Sequence, residues 1–488
     1  MSLKQKTISG LLWSFIDSFA GQGIIFIVGI ILARILSPKE FGLIGMLTIF
    51  IALSQSFIDS GFRQAMIRKQ NCTQADYSTV FYFNIIVSII FYVLLFVSAD
   101  SIGSFFNEPI LRDLIRVLGL GLIINSFTII QSTLLTKRID FKLQAKISVI
   151  SSLISGLISI YMAYTGWGVW SLVALTLVRY SINSILLWIW NKWTPIWCFS
   201  TNSFNKLFSF GGKLLISGLI NTIYQNVYYL IIGKYFTAIE LGYYTRADQF
   251  QSMPSSNLHG IIGRVSYPVL SSIQDDIPRL REAYKKIIRS TMLITFVLML
   301  GMAAIARPMI LTLIGEKWEP SIIYLQMLCF VGMFYPLHAL NLNMLQVQGR
   351  SDLFLRLEII KKALAVPIII IGIIWGIKTM ILGMMVNTLI AYYLNSYWSG
   401  RFIGYSFLSQ IKDILPSFFL ALIMGSVVFV EGLLIPLTPL PLLIIQLITG
   451  VLITISMCEG FHFKDYLYIK EIVKEKILMR KANDRKIE

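Results

Sequence analysis

The chain has 488 residues, of which 56% are hydrophobic and only 14% are charged, and its mean hydropathy is +0.73. These values exclude an ordinary soluble domain and predict a polytopic membrane protein. A net charge of +17 would suggest a nucleic-acid partner for a soluble protein, but here the distribution of the charges along the chain explains it better, and no nucleic-acid partner is expected.

Reactive and metal-binding residues are scattered. The four cysteines (Cys72, Cys198, Cys329 and Cys458) form no C-x-x-C pair, and the three histidines are equally far apart, so neither a disulfide framework nor a metal site is predicted. The sequence also contains no G-x-x-x-x-G-K-[ST] or H-E-x-x-H motif. We therefore expect neither an enzyme nor a resident cofactor.

Apolar runs long enough to cross a bilayer recur along the whole chain, since a helix needs about 20 residues to span the hydrocarbon. We predict an all-α protein with fourteen transmembrane helices. Their approximate ranges are 10–35, 41–67, 78–99, 112–135, 143–164, 168–190, 208–232, 242–265, 287–314, 321–347, 354–376, 378–400, 412–431 and 437–459.

Basic residues are divided unequally between the two sides that this topology defines. The side of the N-terminus holds 32 lysines and arginines and the other side holds 9, while Arg179 lies within a span. By the positive-inside rule, both termini are predicted to be cytoplasmic.

The turn between the first two predicted helices has a counterpart later in the chain. Leu36–Gly42 (LSPKEFG) and Phe236–Gly242 (FTAIELG) align without gaps, and a base, Arg34 or Lys234, precedes each. A match at the same place in two membrane hairpins favours an internal repeat. Six helices per repeat is an even number, so the repeats are predicted to be parallel, related by a pseudo-two-fold axis along the membrane normal.

The repeat predicts the domain organisation. An N-lobe over 1–190 carries helices 1–6, and a linker over 191–205 contains Trp193 and Trp197, both read as interfacial tryptophans. A C-lobe over 206–400 carries helices 7–12, and 401–460 adds two further helices. The remaining segment, 461–488, is predicted to be a basic cytoplasmic tail lying on the inner membrane surface.

Polar residues within the spans are the candidate functional residues, because they are costly at that depth unless they face a cavity or a partner. Arg179 lies close to the midplane of its span, whereas Asp17 lies about two turns in from the cytoplasmic surface. Lys213 lies at comparable or lesser depth in the equivalent span of the second lobe. Asn221 and Gln225 are four residues apart and share a helix face. Two interpretations stay open for the amides, namely a water-lined cavity and hydrogen bonding between helices.

Several motifs together resemble the polysaccharide flippases of the multidrug/oligosaccharidyl-lipid/polysaccharide (MOP) superfamily, in the Wzx-type branch that handles O-antigen, colanic-acid and other exopolysaccharide units. The matching segments are 33–43 (ARILSPKEFGL), 59–63 (DSGFR), 76–81 (DYSTVF), 166–172 (GWGVWSL), 231–235 (IIGKY), 241–247 (LGYYTRA) and 267–271 (YPVLS). The resemblance implies a bacterial inner-membrane protein that moves undecaprenyl-diphosphate-linked oligosaccharides to the outer leaflet by alternating access. Coupling to Na⁺ or protons, and a polysaccharide polymerase and a chain-length regulator as partners, are implied in the same way.

Depth and charge suggest roles for individual residues in such a flippase. A lipid diphosphate needs cations within the membrane, sugars need amides and aromatic faces, and coupling needs a carboxylate. Asp17 and Asp59 are the ion-coupling candidates, and the sugar-contacting candidates are Asn221, Tyr224, Gln225 and Asn226. The diphosphate-binding candidates are Arg179, Lys213, Arg34, Lys234, Arg246 and Arg264.

Two other functions remain as alternatives. A cation-coupled multidrug exporter of the same superfamily would share the fold, but cationic drugs favour an acidic cavity, and the spans here hold more bases than acids. A membrane glycosyltransferase, such as a polysaccharide polymerase or ligase, would need a sizeable outer loop with catalytic residues, and no such loop is predicted.

Overall fold

The structure is a computed structural model that describes residues 21–463, 465–467 and 470–471, apart from the side chains of 257, 259, 261–265 and 351. Asp17 and most of the predicted tail lie outside the described residues. The chain forms two compact units, the first ending at Thr245 and the second beginning at Arg246.

The first unit is a bundle of helices joined by short turns. Its core pairs are α2 with α9, α4 with α6, α6 with α8, and α7 with α8. The helices are α1 (Gly21–Ile35, its described part), α2 (Pro38–Asp59), α3 (Phe62–Arg68), α4 (Gln74–Val97), α5 (Ala99–Phe106), α6 (Leu111–Lys137), α7 (Phe141–Tyr164), α8 (Trp170–Asn191), α9 (Thr201–Tyr235) and the start of α10 (Ala238–Ser271).

The second unit contains the rest of α10 and eight further helices. Its main pairs are α11 with α17, α15 with α16, and α17 with α18. The helices are α11 (Ile277–Ala304), α12 (Ala306–Leu313), α13 (Ser321–Gly332), α14 (Tyr335–Val347), α15 (Ser351–Trp375), α16 (Ile377–Ile403), α17 (Phe407–Leu434) and α18 (Pro439–Gly460), with a 3₁₀ turn at Glu316–Trp318.

The helical architecture confirms the predicted fold class. Within the described residues, eleven helical segments are long and apolar enough to cross a membrane. The helices α1, α10 and α15 fall on the other three predicted spans, but the described part of α1 is short, α10 is more polar, and α15 carries five charged residues in its first twelve. The protein is thus a multi-pass membrane protein, and the count of fourteen stays a prediction.

The predicted lobe boundary at 191–205 also stays a prediction. Compact packing continues past it, because α9 lies along α2 within the first unit. The segment between α8 and α9 is an extended strap held by side chains of α4 and α6. Gln74 Nε2 donates to the Thr194 carbonyl (2.6 Å), and Gln131 Nε2 donates to the Trp193 carbonyl (2.9 Å).

The two tryptophans of this strap have different environments. Trp193 is only 9% exposed, packs among Phe62, Phe81 and Leu207, and donates from Nε1 to Gln74 Oε1 (2.8 Å). Trp197 is 97% exposed. The interpretation of Trp193 as an interfacial residue is therefore wrong, since its ring fills a protein core and its N–H has a protein partner.

The two matching turns pack against each other in the first unit. A Cβ placed on Gly42 would lie 1.7 Å from the Ala238 carbonyl oxygen, and one placed on Gly242 would lie 1.9 Å from the Pro38 carbonyl oxygen. Positions 238 and 242 correspond to 38 and 42 in the repeat. The contacts are thus reciprocal, as in a two-fold interface.

Equivalent capping interactions shape both turns. Glu40 Oε2 accepts hydrogen bonds from the Ser37 backbone N–H (2.6 Å) and hydroxyl (3.0 Å). Glu240 Oε2 accepts from the Thr237 N–H (3.2 Å) and hydroxyl (3.4 Å). Because a hydroxyl residue followed by glutamate three positions later forms a capping box, the shared sequence pattern produces the same helix start twice.

Candidate functional site

A polar exposed surface of the first unit runs along α9. Five polar residues occur at intervals of four and are all exposed, which places them on one winding stripe of the helix. We call this set the α9 stripe: Ser209, Lys213, Ser217, Asn221 and Gln225. Beside it, Ile216, Ile220 and Ile223 are exposed as well, so the exposed surface of α9 has a polar side and an apolar side.

Helix α9 differs from the other apolar helices of the described chain. It is the least apolar of the eleven candidate spans, and only 11% of its most apolar 18-residue stretch is buried in the protein. The corresponding stretch of α18 is also mostly exposed, with 17% buried, but it is strongly apolar. A span exposed to lipid on all sides should be the most apolar, because hydrocarbon cannot satisfy polar groups. The α9 stripe is therefore suited to line water.

The geometry separates the candidate amides. Asn226 Nδ2 donates to the Thr222 carbonyl one turn earlier (2.8 Å), so it bonds its own helix. Asn221 and Gln225 are exposed and form no hydrogen bond with any described residue. Tyr224 is half-buried and has a contact within the protein. Of the four, Asn221 and Gln225 are the ones presented for binding.

Helix α9 is fixed against α2 and α3 at two points. The Ser56 and Thr222 hydroxyls are 3.0 Å apart, and a Cβ on Gly61 would lie 2.4 Å from the Gly211 carbonyl oxygen. Gly61 has a φ of 68°, a left-handed conformation that glycine adopts without steric cost. Glycine at position 61 therefore allows α2 to end and α3 to begin at the point where this backbone contacts that of α9.

Charged residues flank this crossing. Asp59 ends α2 and Arg63 lies in α3, and Asp59 Oδ1 and Arg63 Nε are both buried without a hydrogen-bond partner in the described chain. Lys213 lies two residues beyond Gly211 and is exposed. The crossing thus brings a carboxylate and two bases to one end of the α9 stripe.

The remaining candidate bases are in other places. Arg179 is half-buried in the middle of α8, and Arg34 is exposed at the end of α1; both make contacts within the protein. Arg246 is half-buried in α10 where the second unit begins. The Arg264 side chain and all of Asp17 lie outside the described residues.

Lys234 is engaged in the protein. Its Nζ donates to the Phe105 carbonyl (2.5 Å) at the end of α5 and lies 4.5 Å from the centre of the Phe105 ring. A hydrogen bond and a cation–π contact together hold the end of α9 against α5. In this arrangement the ammonium is not directed to a ligand.

Sequence reasoning missed part of this surface. Asn221 and Gln225 were recognised as one face, but Ser209 and Ser217, which complete the stripe, and Arg63 were not. The signal was present, because all five stripe residues follow an interval of four. Gly61 and Gly211 gave no comparable signal, since their role depends on a contact between residues 150 positions apart.

Within the described residues, these features define a class of protein: a helical, multi-pass membrane protein with an exposed polar stripe on α9 from Ser209 to Gln225. The model of the family described as "Polysaccharide biosynthesis protein" matches residues 31–323, and the chain belongs to that family.

Individual proteins resemble this chain in sequence or in fold. The chain is 27% identical over 405 residues to the lipopolysaccharide biosynthesis protein WzxC of Escherichia coli K12, covering 81% of this chain and 82% of WzxC. The solved lipid II flippase MurJ, in an inward closed conformation, matches with a TM-score of 0.75 and 15% identity over 94% of this chain and all of MurJ. A multidrug resistance MATE family transporter of the MOP superfamily, inward-facing, matches with a TM-score of 0.62 and 15% identity, covering 80% of this chain and 98% of that one. The chain thus shares the fold of these two solved structures.

Proposed function

We propose that the protein is a flippase that moves undecaprenyl-diphosphate-linked polysaccharide repeat units from the cytoplasmic to the outer leaflet of the bacterial inner membrane by alternating access. Membership of a polysaccharide biosynthesis family supports the substrate class. The excess of Lys and Arg on one side, 32 against 9, supports cytoplasmic termini. A polymerase and a chain-length regulator as partners stay predictions.

The observation that carries the proposal is the α9 stripe. An amphiphilic lipid-linked sugar needs a water-lined path for its head group and contact with the bilayer for its tail. Helix α9 offers a polar stripe with a lysine and two amides that have no hydrogen-bond partner among the described residues, beside an exposed apolar face. The stripe holds one base and no acid, which suits an anionic diphosphate.

Distinct residues serve the two parts of the head group. Lys213, at the end of the stripe near Asp59 and Arg63, attracts the diphosphate. Arg179, Arg34, Arg246 and Arg264 remain further candidates, whereas the contact of Lys234 with Phe105 favours a structural role for that residue. Asn221 and Gln225 contact the sugars, and Tyr224 and Asn226 remain further candidates alongside them on α9.

We expect Lys213→Ala to slow translocation about ten- to hundredfold, because a hydrogen bond to a charged group contributes about 1.5–3 kcal/mol. The measurement is the rate at which a fluorescent undecaprenyl-diphosphate oligosaccharide moves between leaflets of sealed proteoliposomes. Lys412→Ala is the matched control, since Lys412 is an exposed lysine of α17 in the second unit. Equal rates for the two variants would remove Lys213 from the substrate path.

Asp59 is proposed to take part in ion coupling, because its Oδ1 is buried without a partner beside the crossing with α9. Asp59→Asn should abolish stimulation of transport by an inward Na⁺ or proton gradient and leave gradient-independent exchange in place. Asp275→Asn, in an exposed loop, serves as control. Stimulation that persists in Asp59→Asn would transfer the role to another carboxylate, with Asp17 as the remaining candidate.

Multidrug export is the second candidate function, because a MATE transporter shares the fold. It predicts that cationic dyes are transported, which the basic and neutral α9 stripe disfavours. A polymerase or ligase is disfavoured by the loops, since the longest connection between helices in the described chain is the strap over 192–200.

A further inference from the structure

A pocket opens where three turns of the first unit meet. It measures about 540 Å³, within the range of pockets that bind small ligands. The turns are those between α1 and α2, between α5 and α6, and between α7 and α8. In the proposed topology all three lie on the side with few lysines and arginines, which is the outer side.

A glycine–tryptophan–glycine turn forms one wall. Gly166 and Gly168 have φ values of 84° and 53°, so both adopt left-handed backbone conformations. Between them Trp167 is 59% exposed, and Trp170 follows at the start of α8. Both tryptophans line the pocket. The turn thus presents aromatic surface at the pocket rather than burying it.

Charged groups form another wall. Lys39 Nζ and Glu108 Oε1 are 3.0 Å apart, and their side chains are 49% and 21% exposed. Glu40 uses Oε2 for the cap of α2, and a Cβ on Gly168 would lie 2.6 Å from its Oε1. Glycine at 168 therefore lets the carboxylate reach the tryptophan turn, with Oε1 left to accept a hydrogen bond from a ligand.

We infer that this pocket binds a saccharide, namely sugar units of the translocated oligosaccharide after they reach the outer side. The inference rests on the proposed function for the source of the sugar. Tryptophan rings bind the apolar faces of pyranoses, and carboxylates and an ammonium bind their hydroxyl groups.

The charges limit the class of saccharide. Lys39, Glu40 and Glu108 give the pocket both signs and a net charge of about −1, which opposes a diphosphate or another strong anion. A purely apolar ligand would bury the ion pair without compensation. A neutral, polyhydroxylated ligand satisfies both walls. The pocket is therefore distinct in chemistry from the α9 stripe, which favours the diphosphate.

The test measures sugar binding directly, by saturation-transfer NMR and calorimetry on the full-length protein in nanodiscs. The probes are the oligosaccharide released by mild acid from the producing strain's lipid-linked intermediate, methyl glycosides of glucose, galactose and N-acetylglucosamine, and inorganic pyrophosphate. Trp167→Ala should weaken oligosaccharide binding about tenfold or more, in the range found when a buried aromatic anchor is truncated. Trp167→Phe should retain part of the affinity, and pyrophosphate should bind equally to all forms.

The chain offers a matched control. Trp375 also precedes a glycine with positive φ, Gly376 at 96°, is 69% exposed, and does not line this pocket. Trp375→Ala should therefore bind the oligosaccharide as the wild type does. Glu108→Gln provides a second pocket variant that keeps the tryptophan, and it should also weaken binding.

Each outcome decides a different point. Equal oligosaccharide binding by the wild type, Trp167→Ala and Glu108→Gln would overturn the proposed saccharide pocket. Absence of binding by the wild type would overturn it as well. In that case, equal losses of thermal stability in Trp167→Ala and Trp375→Ala would mark both tryptophans as membrane-interface anchors. Leaflet exchange by the wild type would leave the proposed function standing in those cases. Sugar binding that depends on Trp167, without any leaflet exchange, would instead keep the pocket and remove the flippase.

Discussion

At the scale of single residues, glycines decide how closely helices approach. The α-carbon of Gly211 packs against the turn between α2 and α3, and a Cβ at this position would lie 2.8 Å from the Ser60 carbonyl oxygen. Gly218, seven residues later in the same helix, has no atom within 4 Å of such a Cβ. A close backbone contact therefore requires glycine at position 211, whereas no such contact requires it at position 218.

Gly211→Ala is expected to destabilise the protein by about 1–3 kcal/mol, because a methyl group must force two backbones apart. Gly218→Ala should be neutral or stabilising by about 0.5–1 kcal/mol, since alanine favours the helix. Thermal unfolding of both variants in the same detergent measures the difference. A lower unfolding midpoint for Gly218→Ala than for Gly211→Ala would contradict the described crossing.

Sequence alone identified the polar residues but not their partners. Asn221 and Gln225 were predicted to share a face because helical spacing requires it. The contact of Lys234 with Phe105 joins residues 129 positions apart and could not be predicted, since charge and depth carry no information on long-range pairing. The assignment of Trp193 failed for the same reason.

At the scale of helices, the paired turns at 36–42 and 236–242 organise the first unit. Gly42 contacts Ala238 and Gly242 contacts Pro38, so each turn occupies the space that a side chain on the other would need. The sequence match predicted a repeat, and the structure adds that the repeated turns touch each other.

We predict that Gly42→Ala and Gly242→Ala each destabilise the protein by about 1–3 kcal/mol, and to similar extents, because the contacts are reciprocal. The double variant should cost less than the sum, since the first methyl already separates the turns. A double-mutant cycle of unfolding free energies tests this, with Gly23→Ala as control because nothing lies within 4 Å of its Cβ. Strict additivity would contradict a shared contact.

Hydropathy located the helices well but not their interruptions. The predicted ranges overlap described helices, whereas the break at Ser60–Gly61 within the predicted span 41–67 was not foreseen. The same holds for the break between α13 and α14. Apolar residues lie on both sides of each break, so composition reports burial in the membrane and not the backbone conformation that ends a helix.

At the scale of the whole molecule, the asymmetry of the basic residues predicts the orientation of the chain in the membrane. Trp167 is 59% exposed and lies on the side that is predicted to be outer because it has few basic residues. Lys412 is exposed near the start of α17, on the side that is predicted to be cytoplasmic. The proposed pocket and the proposed path of the substrate both depend on this orientation.

In a variant without the four native cysteines, Trp167→Cys should react with a membrane-impermeant maleimide in intact spheroplasts. Lys412→Cys should react only after permeabilisation, because the positive-inside rule assigns it to the cytoplasm. Mass shifts on gels measure both reactions. The reverse labelling pattern would invert the topology.

The central claim is that this chain moves a lipid-linked oligosaccharide between leaflets, and the most direct measurement is leaflet exchange by the purified wild type. Sealed proteoliposomes with fluorescent undecaprenyl-diphosphate oligosaccharide are treated with an external, membrane-impermeant quencher, with and without Na⁺ and proton gradients. We predict that inner-leaflet lipid becomes accessible well beyond the level of protein-free vesicles. Folded protein that exchanges no matched glycan lipid under any gradient, while it transports a cationic dye, would contradict the flippase account and favour drug export.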